Sequence, residues 1–258
     1  MMFVKLVSSN MINREFQLKE GLNVDTVPFA LEGNCVAGGL YYSKAHDIGH
    51  WLSLGYTRLC TVTVPEDAQT VELPYKYRSD KIILSQPCLI EEHPMWRDSE
   101  ICKLVVQQNG LALQHVQQQT DEICKFAVQQ NGYSLLYVQD QTEEICKLAV
   151  QESGHVLEHV LNKNKTDAII KLAVQRHGTA LQYVQDKNKT DEIIKLAVQR
   201  HGIALRYVQA QNQTDEIIKL AVQQDGLALR YVKDPTTSIF SAWSRPLNWL
   251  KTVLPSNT

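Results

Sequence analysis

Several features that identify large classes of protein are missing from this sequence. No uncharged run approaches the roughly 18 apolar residues of a membrane-spanning helix. Basic and acidic residues nearly cancel, at 26 and 28, so no overall basic field favours nucleic acid. The first residues combine a short apolar stretch with Arg14 and Glu15, which makes a poor signal peptide. We therefore expect a cytoplasmic chain that is not secreted and binds neither membrane nor nucleic acid.

Motifs of the common enzyme classes are missing as well. The sequence has no P-loop, no G-x-G-x-x-G, no H-E-x-x-H and no G-x-S-x-G. Six cysteines would allow a disulfide framework, but a chain without a secretory signal is expected in a reducing compartment. These absences predict a protein that is not an enzyme and that uses no cofactor or metal.

What the sequence does have is an internal repeat. Glycines recur in steps of 22, 22, 24, 24 and 24 residues, at Gly110, Gly132, Gly154, Gly178, Gly202 and Gly226. The residues around them recur too, as in TDEIIKLAVQRHGIALRYVQ from Thr190 to Gln209. Six copies within one chain indicate a repeat architecture.

Each repeat is predicted to be a pair of short α-helices. Asp98 or a threonine stands twelve residues before each glycine, at the N-cap, and acidic residues follow in the first turn. The glycine is predicted to end the first helix in a left-handed conformation, and a second helix carries x-Ala-Leu-x-Tyr/His-Val. Neither helix is long enough to be stable alone. We therefore predict an all-α solenoid of six helix-pair repeats over residues 98–234.

The repeat also accounts for residues that resemble chemical sites. Cysteine alternates with isoleucine at one position, which indicates buried apolar residues rather than ligands or disulfides at Cys102, Cys124 and Cys146. The pattern H-x-x-E-H from His155 to His159 matches inverted zinc proteases and would place both histidines on one helix face. Tyrosines such as Tyr183 hold the position of His159 in other repeats, so an aromatic column is the favoured interpretation.

Charge divides the repeats into two halves. Residues 98–161 carry 3 basic and 9 acidic groups, whereas residues 162–233 carry 12 basic and 7 acidic groups. Lysine and glutamine each recur at one position of the first helix, and such ladders either line a binding face or form solvated rims and inter-repeat hydrogen bonds. We predict a surface for an acidic protein partner, or for the acidic half of a second copy. Its candidate residues are Lys171, Arg176, Lys195, Arg200, Arg206 and Arg230.

The last segment, residues 235–258, departs from the repeat at Pro235. Its apolar residues predict a helix that caps the end of the solenoid and also mediates a homodimer. The residues of this predicted surface are Phe240, Trp243, Leu247, Trp249, Leu250 and Leu254. A purely intramolecular cap is the alternative.

The first 94 residues do not repeat and are predicted to form a small α+β domain. A helix is predicted from Ala45 to Leu54, ending at Gly55, and the pair Gly38 and Gly39 predicts a tight turn into a strand. Runs rich in apolar and β-branched residues predict further strands at Phe3 to Val7, Leu59 to Val64, Val71 to Tyr75 and Lys81 to Leu84.

Both regions resemble known sequences. The stretches from Gly21 to Phe29, Cys35 to Ser43 and Tyr77 to Leu84 resemble the N-terminal region of repeat proteins from Mimivirus-like giant viruses, where it often precedes ankyrin arrays. The repeats lack the ankyrin T-P-L-H pattern. They resemble a short helical repeat of unknown function from such viruses and some bacteria, with A-V-x-x-x-G-x-A-L-x-Y as its core. This resemblance implies a viral protein in the host cytoplasm or the virion, and it transfers no functional residue.

Two functional hypotheses follow from the sequence. In the first, the chain is a non-enzymatic scaffold whose solenoid binds a viral or host protein. In the second, the N-terminal domain is an enzyme or small-ligand binder that the solenoid targets, because Gly38 to Ser43 resembles a nicotinamide-binding strand of ADP-ribosyltransferase-like domains. A deep pocket lined by Tyr42, His46 and an acidic residue would favour the second hypothesis.

Overall fold

The structure is a computed structural model that describes residues 1–13, 16–34 and 36–234. The chain divides into two compact units, Met1–Gln139 and Asp140–Thr258. The first unit holds a β-sheet and most of the first two repeats, and the described part of the second holds the other four. The predicted division into residues 1–94, 98–234 and 235–258 follows the change from strands to helices and stays a prediction.

An antiparallel sheet forms the N-terminal region. Its strands are β1 (Phe3–Val7), β2 (Ile12–Asn13), β3 (Phe16–Gln17), β4 (Gly21–Val24), β5 (Leu40–Lys44), β6 (Arg58–Thr63), β7 (Thr70–Leu73), β8 (Lys76–Ser79), β9 (Lys81–Leu84) and β10 (Cys88–Leu89). Eight of them pair in the order β4-β9-β6-β1-β5-β8-β7, with β10 beside β6, and β2 pairs with β3. The predicted strands are confirmed, whereas β4, β8 and the two-residue strands were not predicted.

One face of the sheet carries the apolar core, because alternate side chains of a strand point to the same side. The rings of Phe3, Tyr42 and Tyr77 pack together at centroid distances of 5.1–5.6 Å. The buried core residues are Val7, Leu18, Leu40, Tyr42, Cys60, Val62, Ile82 and Leu84. The other face of the central strand β1 is buried as well, because Val4 and Leu6 lie on the side opposite to this cluster.

The predicted helix from Ala45 to Leu54 is two 3₁₀ helices, Ala45–His50 and Leu52–Leu54. The segment ends as predicted, at Gly55 with a φ of 78°. Gly49 is buried against the first repeat, where a side chain would crowd Gln108. A short segment with an internal glycine is a poor α-helix. Every helix among the described residues before 98 is a 3₁₀ helix.

The first helix of every repeat is an α-helix with the predicted cap. Asp98 accepts hydrogen bonds from the first-turn backbone, and threonine side chains do the same for the other five helices, as between Thr120 Oγ1 and the Ile123 N–H at 3.3 Å. The helices are α1 (Ser99–Gln108), α2 (Asp121–Gln130), α3 (Glu143–Glu152), α4 (Asp167–Arg176), α5 (Asp191–Arg200) and α6 (Asp215–Gln224). The capping residues therefore fix where each repeat begins.

The second helix of each repeat is a 3₁₀ helix, so the prediction of two α-helices was wrong. Each of these helices has six residues, and its last turn closes with an i to i+3 hydrogen bond, as from the Val208 N–H to the Leu205 carbonyl. Such short segments favour the tighter helix. They are Gly110–His115, Gly132–Tyr137, Gly154–His159, Gly178–Tyr183, Gly202–Tyr207 and Gly226–Tyr231. Repeats 3 to 5 add a short turn, such as Asn162–Asn164.

The repeat glycines serve packing and not the predicted left-handed turn. None of them has a positive φ, and the residue before each, such as His177, is extended. A Cβ on Gly110 would overlap the carbonyl oxygen of Ala127 in the next repeat, and one on Gly178 would overlap that of Ala197. Glycine is needed because the main chains of adjacent repeats approach too closely for any side chain.

A recurring polar residue, directly before each threonine cap, links neighbouring repeats. Gln119 Nε2 donates to the Tyr137 carbonyl at 2.8 Å, and Gln213 Nε2 donates to the Tyr231 carbonyl at 3.1 Å. The same amides accept from the backbone two residues further along, at Gln139 and Lys233. Lys165 and Lys189 make the corresponding donation. These side chains satisfy carbonyls at the ends of the 3₁₀ helices.

The sheet region packs directly on the first repeat. Trp96 is buried to 1% exposure, donates from Nε1 to the Ile90 carbonyl at 2.6 Å, and lies 5.2 Å from the His115 ring. Gln108 Nε2 donates to the His46 carbonyl at 2.8 Å. These contacts cover part of the first repeat.

Candidate functional site

The six cations predicted to form one binding surface lie in three different settings. Lys171 and Lys195 are in ion pairs, Arg206 and Arg230 lie on tyrosine rings, and Arg176 and Arg200 lie at the C-terminal ends of α4 and α5. The last pair lies beside the basic side chains His155, His177 and His201. That all six residues form one surface stays a prediction. The three settings differ in how far the positive charge is offset by neighbouring groups.

The lysine ladder joins repeats. Lys171 Nζ lies 2.8 Å from Glu192, and Lys195 Nζ lies 2.8 Å from Glu216, each on the following helix. The hydrogen bonds to these carboxylates raise the pKa of both lysines. Lys103 makes the same contact with Glu122 in the first unit. The carboxylates offset the lysine charge, so of the two sequence interpretations the inter-repeat contact fits these three residues.

Arg206 and Arg230 form a short ladder with tyrosines. The Arg206 guanidinium lies 5.1 Å from the Tyr207 ring centroid and 5.6 Å from that of Tyr231. Arg230 lies 5.4 Å from the Tyr231 ring. Both arginines are exposed, and cation–π attraction to a ring favours these positions of the two guanidinium groups. This pair therefore contributes charge at a site separate from the ends of the α-helices.

The remaining cations belong to a line of basic side chains that we call the Arg–His edge: His155, Arg176, His177, Arg200 and His201. The His155 and His177 rings stack at 4.6 Å, and Arg200 Nε donates to the Arg176 carbonyl at 3.3 Å. Two of these histidines bind the backbone of the preceding repeat. His177 Nδ1 accepts from the Gly154 N–H at 3.1 Å, and His201 Nδ1 accepts from the Gly178 N–H at 3.0 Å.

The Arg–His edge is electropositive. Burial lowers the pKa of His177, and the neighbouring charges of His155, His201, Arg176 and Arg200 lower it further. Within the part of the chain that the structure describes, no carboxylate lies within 4 Å of either guanidinium. Arg176 and Arg200 also lie in the last turns of α4 and α5, where the helix dipole favours a positive charge. This edge is thus a cationic surface without an internal partner.

The histidines of this edge predict a loss of stability in acid. The pKa values of His177 and His201 in the folded chain are lowered mainly by burial, so the unfolded chain binds more protons at these two positions once the pH falls through about 6.5. Above that pH the neutral histidines make their full contribution to the free energy of unfolding. This contribution is lost as the pH falls through the pKa values that the histidines have in the folded chain. Protonation also blocks the Nδ1 acceptors of His177 and His201.

Urea unfolding at pH 7.5 and pH 5.0 tests this expectation. The double variant His177→Asn/His201→Asn, with the residue found at positions 109 and 131, should lose less stability on acidification than the unmodified chain. Other titrating groups are common to both proteins and cancel in the comparison. Equal losses would show that the two histidines do not control the acid response.

The residues that suggested metal chemistry have other partners. In a 3₁₀ helix, with three residues per turn, His155 and His159 are about 120° apart and do not share the face that the zinc-protease interpretation required. His155 Nε2 instead lies 2.9 Å from Thr179 Oγ1. Residues 1–13, 16–34 and 36–234 include no group of three or more His, Cys, Asp or Glu that could hold a metal ion.

The repeat cysteines are buried as predicted. Cys102, Cys124 and Cys146 are each at most 4% exposed and unpaired, and burial raises the pKa of the first two to about 11. These thiols are therefore protonated apolar side chains at neutral pH.

Two further expectations concern the C-terminal segment and the membrane. The predicted capping and dimer residues, from Phe240 to Leu254, lie outside the described residues. In the portion of the chain that is described, no helix is both long enough and apolar enough to cross a bilayer.

Comparison with known proteins gives one result for the repeats. No curated protein and no solved structure matches the chain. A family model does match residues 98–142, which cover the first two repeats. These two repeats are thus similar to a family described as a domain of unknown function, DUF4116.

Proposed function

We propose that the chain is a non-enzymatic interaction scaffold whose repeats stack as a solenoid and bind an acidic segment of a protein partner. The carrying observation is the Arg–His edge, where two arginines and three histidines gather and where, among the described residues, neither arginine has a carboxylate within 4 Å. The lysine ladder cannot serve the same purpose, because its charges are already offset by glutamates. The resemblance to giant-virus repeat proteins favours a viral or host protein as the partner.

The chemistry of the edge suits carboxylates. A guanidinium donates two parallel hydrogen bonds to one carboxylate, which fixes its orientation as well as its charge. Arg176 and Arg200 occupy the same position in successive repeats, so they present donors at a regular spacing. A chain with acidic side chains at a similar spacing would bind both. The acidic repeats of a second copy are the competing occupant.

The alternative of an ADP-ribosyltransferase-like domain has less support. The sheet region has a cavity that is lined in part by Tyr42, but His46 is not among its described lining residues, and none of those residues is acidic. Tyr42, His46 and an acidic residue, which together would favour that enzyme, therefore do not line this cavity together. Binding of a small ligand remains compatible with it.

A labelled acidic peptide tests the proposal. We expect a fluorescein-labelled decaglutamate to bind the full chain at low salt, and Arg176→Gln/Arg200→Gln to weaken binding about tenfold, which is ~1.4 kcal/mol. The matched control is Arg206→Gln/Arg230→Gln, which removes the same charge from the tyrosine ladder and should have a smaller effect. Fluorescence anisotropy measures both affinities.

Two results would contradict the proposed surface. One is an equal loss in both double variants, which would mean that the peptide responds only to overall charge. The other is no binding of decaglutamate at low salt, where electrostatic attraction is strongest. Light scattering at the same protein concentrations shows whether a second copy occupies the edge, since a dimer dispersed by the Arg176→Gln/Arg200→Gln change would identify that occupant.

A further inference from the structure

A cavity of about 300 Å³ lies against the sheet in the first unit. Its lining comes from strands β1 and β5, from the 3₁₀ segment that follows β5, and from the start of β8. The volume lies at the lower end of the range for small-molecule pockets. Nothing in the repeat-based proposal uses this cavity.

The strand register shows which side chains of the sheet share the cavity. Val4 pairs with Ser43, and Tyr42 pairs with Tyr77, so the next pair between β5 and β8 is Ser43 opposite Lys76. Residues that lie directly opposite each other point to the same side of a sheet. Val4, Ser43 and Lys76 therefore share one face, and this face is opposite to the core cluster that contains Tyr42.

A cation lies at an aromatic wall of the cavity. Lys76 Nζ is 5.0 Å from the ring centroid of Tyr41 and 5.5 Å from that of Trp51, and all three residues line the cavity. Tyr41 is on the face of Lys76 because it stands two residues before Ser43 on β5. None of the described lining residues is acidic. An anion that enters the cavity would therefore meet an ammonium group and no carboxylate in the lining.

The turn between β7 and β8 positions the indole of Trp51. Trp51 Nε1 donates to the Tyr75 carbonyl at 3.3 Å, and the Tyr75 ring centroid lies 4.2 Å from that of His50. Tyr75 has a φ of 61°, which is rare for a bulky residue. Such conformations persist where the surroundings hold them, and they are concentrated at functional sites. These contacts form the wall at Trp51 without a ligand.

The rest of the lining selects an apolar body. Tyr56 adds a third ring, and Ile48 and Leu54 add aliphatic side chains. Aromatic rings pack well against other flat rings, in offset or edge-to-face arrangements. One ammonium offsets one negative charge, which favours a carboxylate over a phosphate with its charge of nearly −2. The lining thus combines an apolar wall with a single cation.

We propose that this cavity binds a small aromatic carboxylate, whose carboxylate group accepts a hydrogen bond from Lys76 Nζ. The ring of the ligand packs against Trp51 and Tyr56. Because Lys76 Nζ is close to the Trp51 ring, one small molecule can make both contacts. This site goes beyond the scaffold function and does not depend on the Arg–His edge.

Isothermal titration of the full chain with indole-3-acetate and 4-hydroxyphenylacetate tests the site. At least one acid should bind, and its amide, with the same ring and no charge, should bind roughly tenfold more weakly or worse. Lys76→Met should weaken binding of the acid to a similar extent and leave binding of the amide nearly unchanged. Trp51→Leu should weaken binding of both. Lys19→Met removes an exposed lysine from the same region, and this matched control should bind the acid normally.

Three outcomes would overturn the proposal: neither acid binds, acid and amide bind equally, or Lys76→Met and Lys19→Met behave alike. Circular dichroism establishes whether Lys76→Met folds. If it does not, the unmodified chain decides through the acid–amide comparison, because equal affinities would leave no role for the ammonium. The Arg176→Gln/Arg200→Gln chain should bind the acid normally, which separates this site from the peptide surface.

Discussion

Replacing Gly178 by alanine should lower the free energy of unfolding by about 3 kcal/mol, at the upper end of the cost of overpacking. The new methyl group would overlap the Ala197 carbonyl oxygen and lie 3.0 Å from the His201 nitrogen. Both are main-chain atoms, so the helix of the next repeat must move and its contacts must loosen. Urea unfolding monitored by circular dichroism measures the loss.

The chain supplies a matched control at Gly226. This glycine has the same position in its repeat, but for the described residues nothing lies within 4 Å of an added Cβ. Gly226→Ala should be nearly neutral, because alanine reduces the conformational freedom of the unfolded chain where the backbone allows it. Similar losses for both variants would mean that the glycines are required for backbone conformation and not for the approach of the next repeat.

Replacing Trp96 by alanine should cost roughly 3–5 kcal/mol, as expected for deletion of a buried aromatic side chain. Trp96 is fully enclosed between the sheet region and the first repeat, and its carbonyl also accepts from Cys102 Sγ at 3.3 Å. The change would remove one of the two donors to the Ile90 carbonyl, leaving only the His93 N–H at 3.3 Å, and would create a cavity beside the first repeat. Thermal and urea unfolding measure the effect.

Tyr133→Ala is the control for this experiment. Tyr133 is also aromatic and belongs to the first unit, but 42% of its surface is exposed. Its loss should cost much less than the loss of Trp96, because less apolar surface leaves water on folding. If the two variants were equally stable, the first repeat would not depend on the sheet region for its cover.

The local signals in the sequence predicted the positions of most elements. Asp98 and the five threonine caps indicated the start of each α-helix, and strands such as Phe3–Val7 and Lys81–Leu84 followed from residue type and alternation. β8 was not predicted, because the charged residues from Lys76 to Ser79 suggest an exposed edge of the domain. In the structure Arg78 is instead buried. Arg78 becomes internal through donation to the carbonyl of Gly33 at 3.1 Å, a contact that no local pattern indicates.

The errors in the repeat come from contacts between repeats. A glycine after a helix usually indicates a left-handed end, and only the position of the next helix shows that Gly178 is required for close approach. The 3₁₀ form of the second helix was also missed, since its spacing of apolar residues fits either helix over so short a length. The recurrence of Gln or Lys before each threonine was a usable signal for the linking side chains.

The candidate sites show the same limit. Charge counts located the basic half of the repeats, but only the structure separates lysines in ion pairs from the arginines of the Arg–His edge. The cavity in the sheet region was not predicted, because its lining residues come from distant stretches of the chain.

The approach of main chains at the repeat glycines has a consequence for how such a protein evolves. Within the second unit the contacts between repeats involve backbone atoms and side chains that recur at fixed positions. A duplicated segment of 24 residues would therefore carry a matching surface at both of its ends. Gene duplication or deletion can change the number of units without new compensating substitutions, so array length can vary under selection separately from the surface that binds a partner.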